Sequence, residues 1–426
     1  MHLLKFPPFA ATCLVLVWTA TTLAAVNFVP PGNKIMISVW SDNYPYKGPY
    51  NDDSPLKIDT RTGKHWPVYH MAQNIPVIGA DMSPANIDTT IDYSLIEALG
   101  TDAILILDLY PYALTAGHAY SNIQDSDIQA LASQCAGYNA KGRRVILRIF
   151  AEMNGNWYPW AQQPIEFVAM YRKIALAVRA VAPLVSFPLS PGTTGATSAA
   201  NFAAMDTNGD GQISFADNPY TPYFPGTDVV DWVGTSMYYW GPYDSTGNYG
   251  VNAAVDPNYF VGWMTGAGGA FNFYSYVVSL GKPITLAEWG IPYYVTVDPG
   301  VGELAMKRAW WSQSLTNAAT MAMFPNVKMF GLFEWRKYEP GLRDFQFLNT
   351  STNGGIVTST FLSDLATTTV EYVWANSTIV ASATAAAAAS PTAATSVTPK
   401  ASTGIKIELC SFLAVAAVAM TLITAT

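Results

Sequence analysis

The chain has 426 residues, a formal net charge of −8, and only 12% charged side chains against 50% hydrophobic and 13% aromatic. That length holds one large domain with appendages, and the acidic, weakly charged composition argues against a partner that is gripped by its phosphates, so no nucleic acid is expected. The 13 Trp and 24 Tyr either fill a large aromatic core or offer flat faces to sugar rings.

At the start, Lys5 precedes an apolar run from Phe9 to Leu23, and Ala24 and Ala25 follow. This is the pattern of a secretory signal peptide over residues 1–25. Residues 26–376 then alternate short apolar runs with helical stretches. The runs are Ile35–Trp40, Ile75–Ile78, Ala103–Leu109, Val145–Ala151, Val185–Leu189, Val229–Met237, Ile284–Ala287 and Val327–Phe333. Helices are expected over Tyr93–Leu99, Ser126–Ala140, Pro164–Ala182 and Gly302–Ala319. In Pro164–Ala182 the residues Phe167, Met170, Tyr171, Ile174, Ala175 and Val178 recur with a period near 3.6, behind a first-turn proline. Strands that alternate with helices form a parallel sheet, and eight such units predict an α/β fold of the (β/α)8 TIM-barrel type.

Residues 377–404 are rich in Ala, Ser, Thr and Pro and lack the large apolar side chains that offset the entropy of folding. They read as an O-glycosylated stalk. Residues 405–426 end in the apolar run Leu409–Thr426, with no basic residue behind it. Small residues, a short polar spacer and an apolar tail fit a GPI-anchor signal, with attachment between Ser396 and Gly404; a C-terminal membrane span is the alternative. The expected location is therefore the cell surface, with contact to membrane through a lipid anchor only. Cys13 and Cys410 fall in the two removed ends, so Cys135 would remain alone and no internal disulfide is expected. Two sequons, Asn349-Thr350-Ser351 and Asn376-Ser377-Thr378, suit a glycosylated surface.

In a barrel of this kind the active groups sit at the C-terminal ends of the strands. Glu152 closes the run Val145–Ala151, and Glu288 closes Ile284–Ala287. Two strand-end carboxylates among aromatics point to the acid/base and nucleophile of a sugar-cleaving enzyme. Strand alternation puts Arg148, Phe150 and Glu152 on one face, so Arg148 is expected behind the glutamates. The sixth run leads into the triplet Tyr238-Tyr239-Trp240, from which a tyrosine is expected to donate a hydrogen bond to a neighbouring carboxylate. Trp157, Trp289 and Trp335 follow strand ends and are the expected sugar contacts, with Trp40 and Trp240 behind them. Glu334 also closes a strand and is the rival nucleophile. Of the four histidines (His2, His65, His70, His118) none adjoins either glutamate, which argues against a metal hydrolase or a Ser-His-Asp triad.

A separate motif runs from Asp206 to Asp217. Oxygen-bearing side chains at Asp206, Asn208 and Asp210, Gly211 at the sixth position, the carbonyl of Gln212 and a carboxylate at Asp217 match the ligand spacing of a calcium loop. Asn218-Pro219 discourages an exiting helix, so a single structural Ca²⁺ is expected there, and no cofactor is expected for catalysis.

Four segments carry a family resemblance. Glu152-Met153-Asn154-Gly155-Asn156-Trp157-Tyr158, Val233–Gly241, Ala287-Glu288-Trp289-Gly290 and Phe333–Glu339 with Arg343-Asp344 are similar to glycoside hydrolase family 26. The resemblance spans most of residues 34–347. It implies a retaining endo-hydrolase of a β-linked polysaccharide, most often β-mannan, with β-glucan and β-xylan as other substrates in the family. It further implies Glu152 as acid/base, Glu288 as nucleophile, Tyr238 as the tyrosine that hydrogen-bonds the nucleophile and Trp157 as the aromatic beside the acid. Ala151 departs from the family, which carries histidine there. Two other readings use the same residues: a cell-wall transglycosylase, in which a sugar replaces water, and a carbohydrate-binding pseudoenzyme.

Overall fold

The computed structural model describes residues 28–378, apart from 43–52, 78–89, 112–119, 194–201, 215, 243–249, 268–270, 339–340 and 352. The segments expected to be a signal peptide and an anchor signal, and nearly all of the expected stalk, lie outside the described residues, as does a separate unit from Ser382 to Thr426. Among the described residues no helix is long and apolar enough to cross a membrane.

Parallel strands form one sheet: β1 (Met36–Ser41), β2 (Val68–Asn74), β3 (Ile104–Tyr110), β4 (Val145–Ile149), β5 (Val185–Ser186), β6 (Pro188–Leu189), β7 (Trp232–Tyr238), β8 (Ile284–Gly290) and β10 (Val327–Glu334). Their order is β5-β4-β3-β2-β1-β10-β8-β7-β6. The two ends of that order, β5 and β6, are separated in the chain only by Phe187, so they act as one barrel strand and the ring closes there. The carbonyl of Phe187 accepts N–H groups of Asp231 (2.8 Å) and Trp232 (3.3 Å), and its own N–H donates to the Asp231 carboxylate (2.8 Å). The expected eight-stranded barrel is thus present. A short antiparallel sheet, β11 (Arg336–Tyr338), β12 (Leu342–Asp344) and β9 (Tyr293–Tyr294), sits beside the C-terminal ends of β8 and β10.

The second strand is Val68–Asn74, not the expected Ile75–Ile78. Its sequence, Val-Tyr-His-Met-Ala-Gln-Asn, carries polar side chains at positions that point into the barrel. A search for apolar runs passes over such a strand.

The helices pack outside. The α3 helix (Asp125–Ala140) lies against α4 (Pro164–Val181), and α8 (Glu303–Trp311) against α10 (Ile356–Thr367). The α4 helix begins at Pro164, and its periodic face, Phe167, Tyr171, Ile174, Ala175 and Val178, is fully buried. Each of its large apolar side chains contributes about 1.5–3 kcal/mol by leaving water. Its last turn sends Arg179 to Asp231 (2.8 and 2.9 Å), the same carboxylate that braces the barrel seam.

Two layers of core follow from strand alternation. Met36, Val68, Ile104, Ile146, Trp232 and Met329 fill the lower barrel interior, while Val39, Tyr69, Leu105, Leu107 and Leu147 belong to the larger core outside the strands. Residues Tyr372–Thr378 return to the lower end. Val373 N–H donates to Ile35, and Thr378 pairs with Gly100. The upper interior is polar, and there the site lies.

Candidate active site

The β4 strand stops at Ile149. Phe150 (φ 51°) and Glu152 (φ 58°) are left-handed, a conformation that costs a residue with a Cβ about 1 kcal/mol or more. Phe150 therefore turns out of the barrel, against Tyr120 and Phe167. The expected shared face holds for Arg148 and Glu152 but not for Phe150, because alternation ends with the strand. The N–H of Glu152 donates to the Ser190 carbonyl (2.8 Å), which fixes the turn. Trp157 folds back from this loop, and its Nε1 donates to Glu152 Oε2 (2.7 Å). Gly155 is required under that ring, because a Cβ there would lie 2.6 Å from the indole. Trp157 remains 47% exposed, so one face stays open to solvent.

Glu288 approaches from β8. Its Oε1 accepts from Arg148 Nη1 (2.7 Å) and its Oε2 from the Tyr238 hydroxyl (2.6 Å). The β8 strand shifts register against both neighbours here, bringing Glu288 opposite Ser236 of β7. Gly234 permits the close approach: a Cβ there would lie 1.9 Å from the Thr285 carbonyl oxygen.

Arg148, fully buried, organises the floor. Nε donates to Ser190 Oγ (2.9 Å), Nη1 to Asp108 Oδ2 (2.7 Å) as well as to Glu288, and Nη2 to Ser236 Oγ (2.9 Å). Burial disfavours its charge, but Asp108 and Glu288 outweigh that and hold it firmly cationic. Burial alone would raise the Asp108 carboxyl; Arg148 and His70 bring it below its ordinary value. His70 Nε2 stands 3.0 Å from Asp108 Oδ2, outside hydrogen-bond alignment, and its ring stacks on Trp40 at 3.9 Å.

Glu152 behaves differently from its neighbours. Burial first, and the negative charge of Glu288 second, push its carboxyl up to about 7, against the pull of Ser236, Arg148 and Trp157. One carboxylate is thus gripped by a cation and a phenol, and the other is poised to carry a proton near neutrality. Glu334 does not compete. Its two oxygens accept backbone N–H groups of Phe347 (2.8 Å) and Leu348 (2.9 Å), so it braces the loop after β12.

The expected sugar contacts separate. Trp335 stacks on Phe333 (5.7 Å) and meets Trp40 edge-on (5.8 Å); all three rings are buried, and Phe333 meets Tyr238. Trp240 lies beside Tyr238, with the Arg343 guanidinium over its ring. Trp289 does not belong to the site. It is wholly buried outside the strands between Trp310 and Phe347, because its parity is opposite to that of the inward side chains. Sequence reasoning missed His70, Asp108, Ser190 and Ser236. Their only signal is polarity at inward-facing positions in the upper halves of strands.

The loop from Asp206 to Asp217 closes on itself. Asp206 accepts N–H groups of Asp210 and Gly211, Asn208 accepts that of Asp210, and Asp210 accepts that of Gln212. Asp217 turns away from them to clasp the amides of Ser214, Thr207 and Asn208, and the first of these contacts contributes most to lowering its carboxyl. Among the described residues no three acidic, His or Cys side chains gather as metal ligands. The arrangement does not fit a calcium site that includes Asp217. Of the two sequon residues, Asn376 is exposed and Asn349 half-buried. Cys135 is buried and free, its thiol pushed up to about 12 by burial.

No protein-family model matches the chain, and no characterised protein sequence is significantly similar to it. Similar solved structures include a mannanase of Bacillus subtilis, at 16% identity and TM-score 0.47, covering 81% of this chain and 88% of that one. Another is a GH26 β-mannanase of Bacteroides ovatus, at 13% identity and TM-score 0.49, covering 80% and 90%. A third, a GH26 protein of Muricauda, has 13% identity and TM-score 0.47, covering 80% and 87%. These likenesses concern the fold.

Proposed function

We propose that the protein is a retaining endo-glycosidase of a β-linked polysaccharide, with β-mannan as the first substrate to test. The observation that carries this reading is the unequal pair: Glu288 held by Arg148 and Tyr238, and Glu152 beside it with its carboxyl near 7. In the first step Glu152 gives its proton to the glycosidic oxygen while a Glu288 oxygen attacks the anomeric carbon. The carbon–oxygen bond breaks, and its electron pair leaves with the protonated oxygen. In the second step the Glu152 carboxylate takes a proton from water, the water oxygen bonds to the anomeric carbon, and the ester electrons return to Glu288. Glu288 attacks from the face opposite the departing oxygen and water returns on the face that oxygen left, so two inversions retain configuration. Trp157, half exposed beside Glu152, offers a ring face to a sugar unit, while Trp40, Phe333 and Trp335 are buried and pack on one another.

No metal takes part in these steps. A calcium ion, where bound, would be structural and held by Asp206, Asn208 and Asp210 with the Gln212 carbonyl. Secretion and a lipid anchor complete the proposal. The last described residues, up to Thr378, pair with Gly100 at the barrel end opposite the glutamates.

The test is a panel of defined β-mannans, glucans and xylans with product mapping. Shorter oligosaccharides with new reducing ends support hydrolysis, and lengthened chains support transglycosylation. Binding without turnover across the panel overturns both.

A further inference from the structure

The six-membered ring of Trp157 rests against two glycines. A Cβ on Gly155 would lie 2.6 Å from both Cζ2 and Cη2 of the indole, and a Cβ on Gly192 would lie 3.3 and 3.5 Å from the same two atoms. Glycine at both positions gives this ring edge a seat. Cζ2 is bonded to Cε2, which carries Nε1, so the seat also sets where the indole N–H points, and it points at Glu152 Oε2 (2.7 Å). Asn154 ties the seat together. Its Nδ2 donates to the Gly192 carbonyl (3.0 Å) and its Oδ1 accepts the Gly192 N–H (2.7 Å), so one buried side chain takes both backbone groups of one residue. Gly192 is also bridged to Ser236 of β7, where the Ser236 N–H donates to the Pro191 carbonyl (3.2 Å). The N–H of Gly155 donates to the Glu152 carbonyl (3.0 Å), which fixes the second glycine to the turn.

We propose that Asn154 is a positioning residue: by clasping Gly192 it holds the two-glycine seat of Trp157, keeps the indole N–H on Glu152 Oε2, and so assigns the proton of Glu152 to Oε1. The use of that proton rests on the glycosidase reading; the seat rests on geometry alone. An indole N–H is a donor only, and a carboxyl oxygen accepts it either in the carboxylate or as the carbonyl oxygen of the acid. With Oε2 taken in both states, Oε1 is the oxygen that gives its proton to the glycosidic oxygen in the first step and takes one from water in the second. Without the clasp, Gly192 and the ring edge separate, the N–H leaves Oε2, and the proton is shared between two oxygens instead of being kept on one. Asn154 touches no reacting atom and acts only through Trp157.

The test compares Asn154→Ala with Trp157→Phe, which keeps a ring and drops the N–H. On the polysaccharide that the enzyme accepts, Asn154→Ala lowers kcat/KM about tenfold, the worth of one hydrogen bond to a charged group. On a dinitrophenyl glycoside of the same sugar, whose leaving group needs little protonation, the loss is less than about twofold. Combining Asn154→Ala with Trp157→Phe costs no more than Trp157→Phe alone, because the asparagine acts through that ring. A readout free of turnover is the indole ¹H–¹⁵N signal of Trp157, assigned by its loss in Trp157→Phe; Asn154→Ala moves it upfield as the hydrogen bond to Glu152 is lost. Should Asn154→Ala fail to fold, Gly192→Ala keeps the clasp and crowds the ring edge instead, and it should move the same signal and show the same split between the two substrates. Equal losses on the two substrates, an indole signal that stays in place, or losses that add in the double variant overturn the proposal. Should wild type cleave no β-linked glycan while the indole signal still moves, the glycosidase reading fails and the seat stands.

Discussion

Replacing Arg148 with Met leaves a similar volume and removes the four hydrogen bonds that Arg148 makes at the floor of the site. Asp108 and Glu288 then remain buried without their cation, and Ser190 and Ser236 lose their donor. Breaking a buried pair by removing one partner costs about 3–5 kcal/mol. Unfolding entropy of about 2.1 cal/mol/K per residue gives roughly 0.7 kcal/mol/K for a domain of roughly 350 residues, so Tm should fall by about 4–7 °C. Lysine is a poor substitute, since its three donors cannot reproduce a fork aimed at four side chains. The effect also has a pH signature. Asp108 is depressed in the folded state, so its contribution is complete above the unfolded value and lost as pH falls through the folded one. The gap in Tm between wild type and Arg148→Met should be full at pH 6–7 and shrink below about pH 4. Scanning calorimetry across that range is the assay. A gap that does not depend on pH, or an Arg148→Met protein as stable as wild type, would refute the account of the floor.

Glu152, Glu334 and Asp42 are all pushed up to about 7 by burial. Each is protonated more readily folded than unfolded, so their contribution is full below the unfolded values and lost as pH rises toward 7. Tm should decline between pH 5 and 7.5, and Glu334→Gln should flatten that slope; a rising Tm would contradict the assignments. For the loop at 206–217, calcium should raise Tm and a chelator lower it, with Asp206→Ala abolishing the shift. Asp217→Ala should lower Tm with or without the ion, because three amides lose their acceptor. A protein indifferent to chelator and to Asp206→Ala carries no ion there.

The parts of this molecule that were legible in sequence are those in which one local rule dominates. Helix α4 shows its buried face at a 3.6 period, and Glu152 and Glu288 stand out because a carboxylate at the end of an apolar strand is costly without a use. Tyr238 stands in a recognisable segment and makes the hydrogen bond to Glu288 that the resemblance implies, and Trp157 lies beside Glu152, where its indole N–H adds a hydrogen bond that was not expected. Strand β2 was hidden because His70 and Asn74 break its apolar run in order to face the barrel interior. Trp289 was misplaced because adjacent residues of a strand point to opposite faces, and a register shift at Glu288 decides which one enters the site. Asp108, Arg148, Ser190 and Ser236 come from four separate strand regions. Their convergence is a property of the closed barrel, and no spacing along the chain announces it.

The most direct test of the central claim is to trap the covalent intermediate. A 2-deoxy-2-fluoro glycosyl fluoride of the sugar that is turned over should inactivate the enzyme and add one glycosyl mass. Peptide mapping should place that mass on Glu288, Glu288→Ala should take up none, and Glu152→Ala should accumulate the adduct of a substrate with a good leaving group. A label on Glu334, or turnover that persists in Glu288→Ala, would contradict the account.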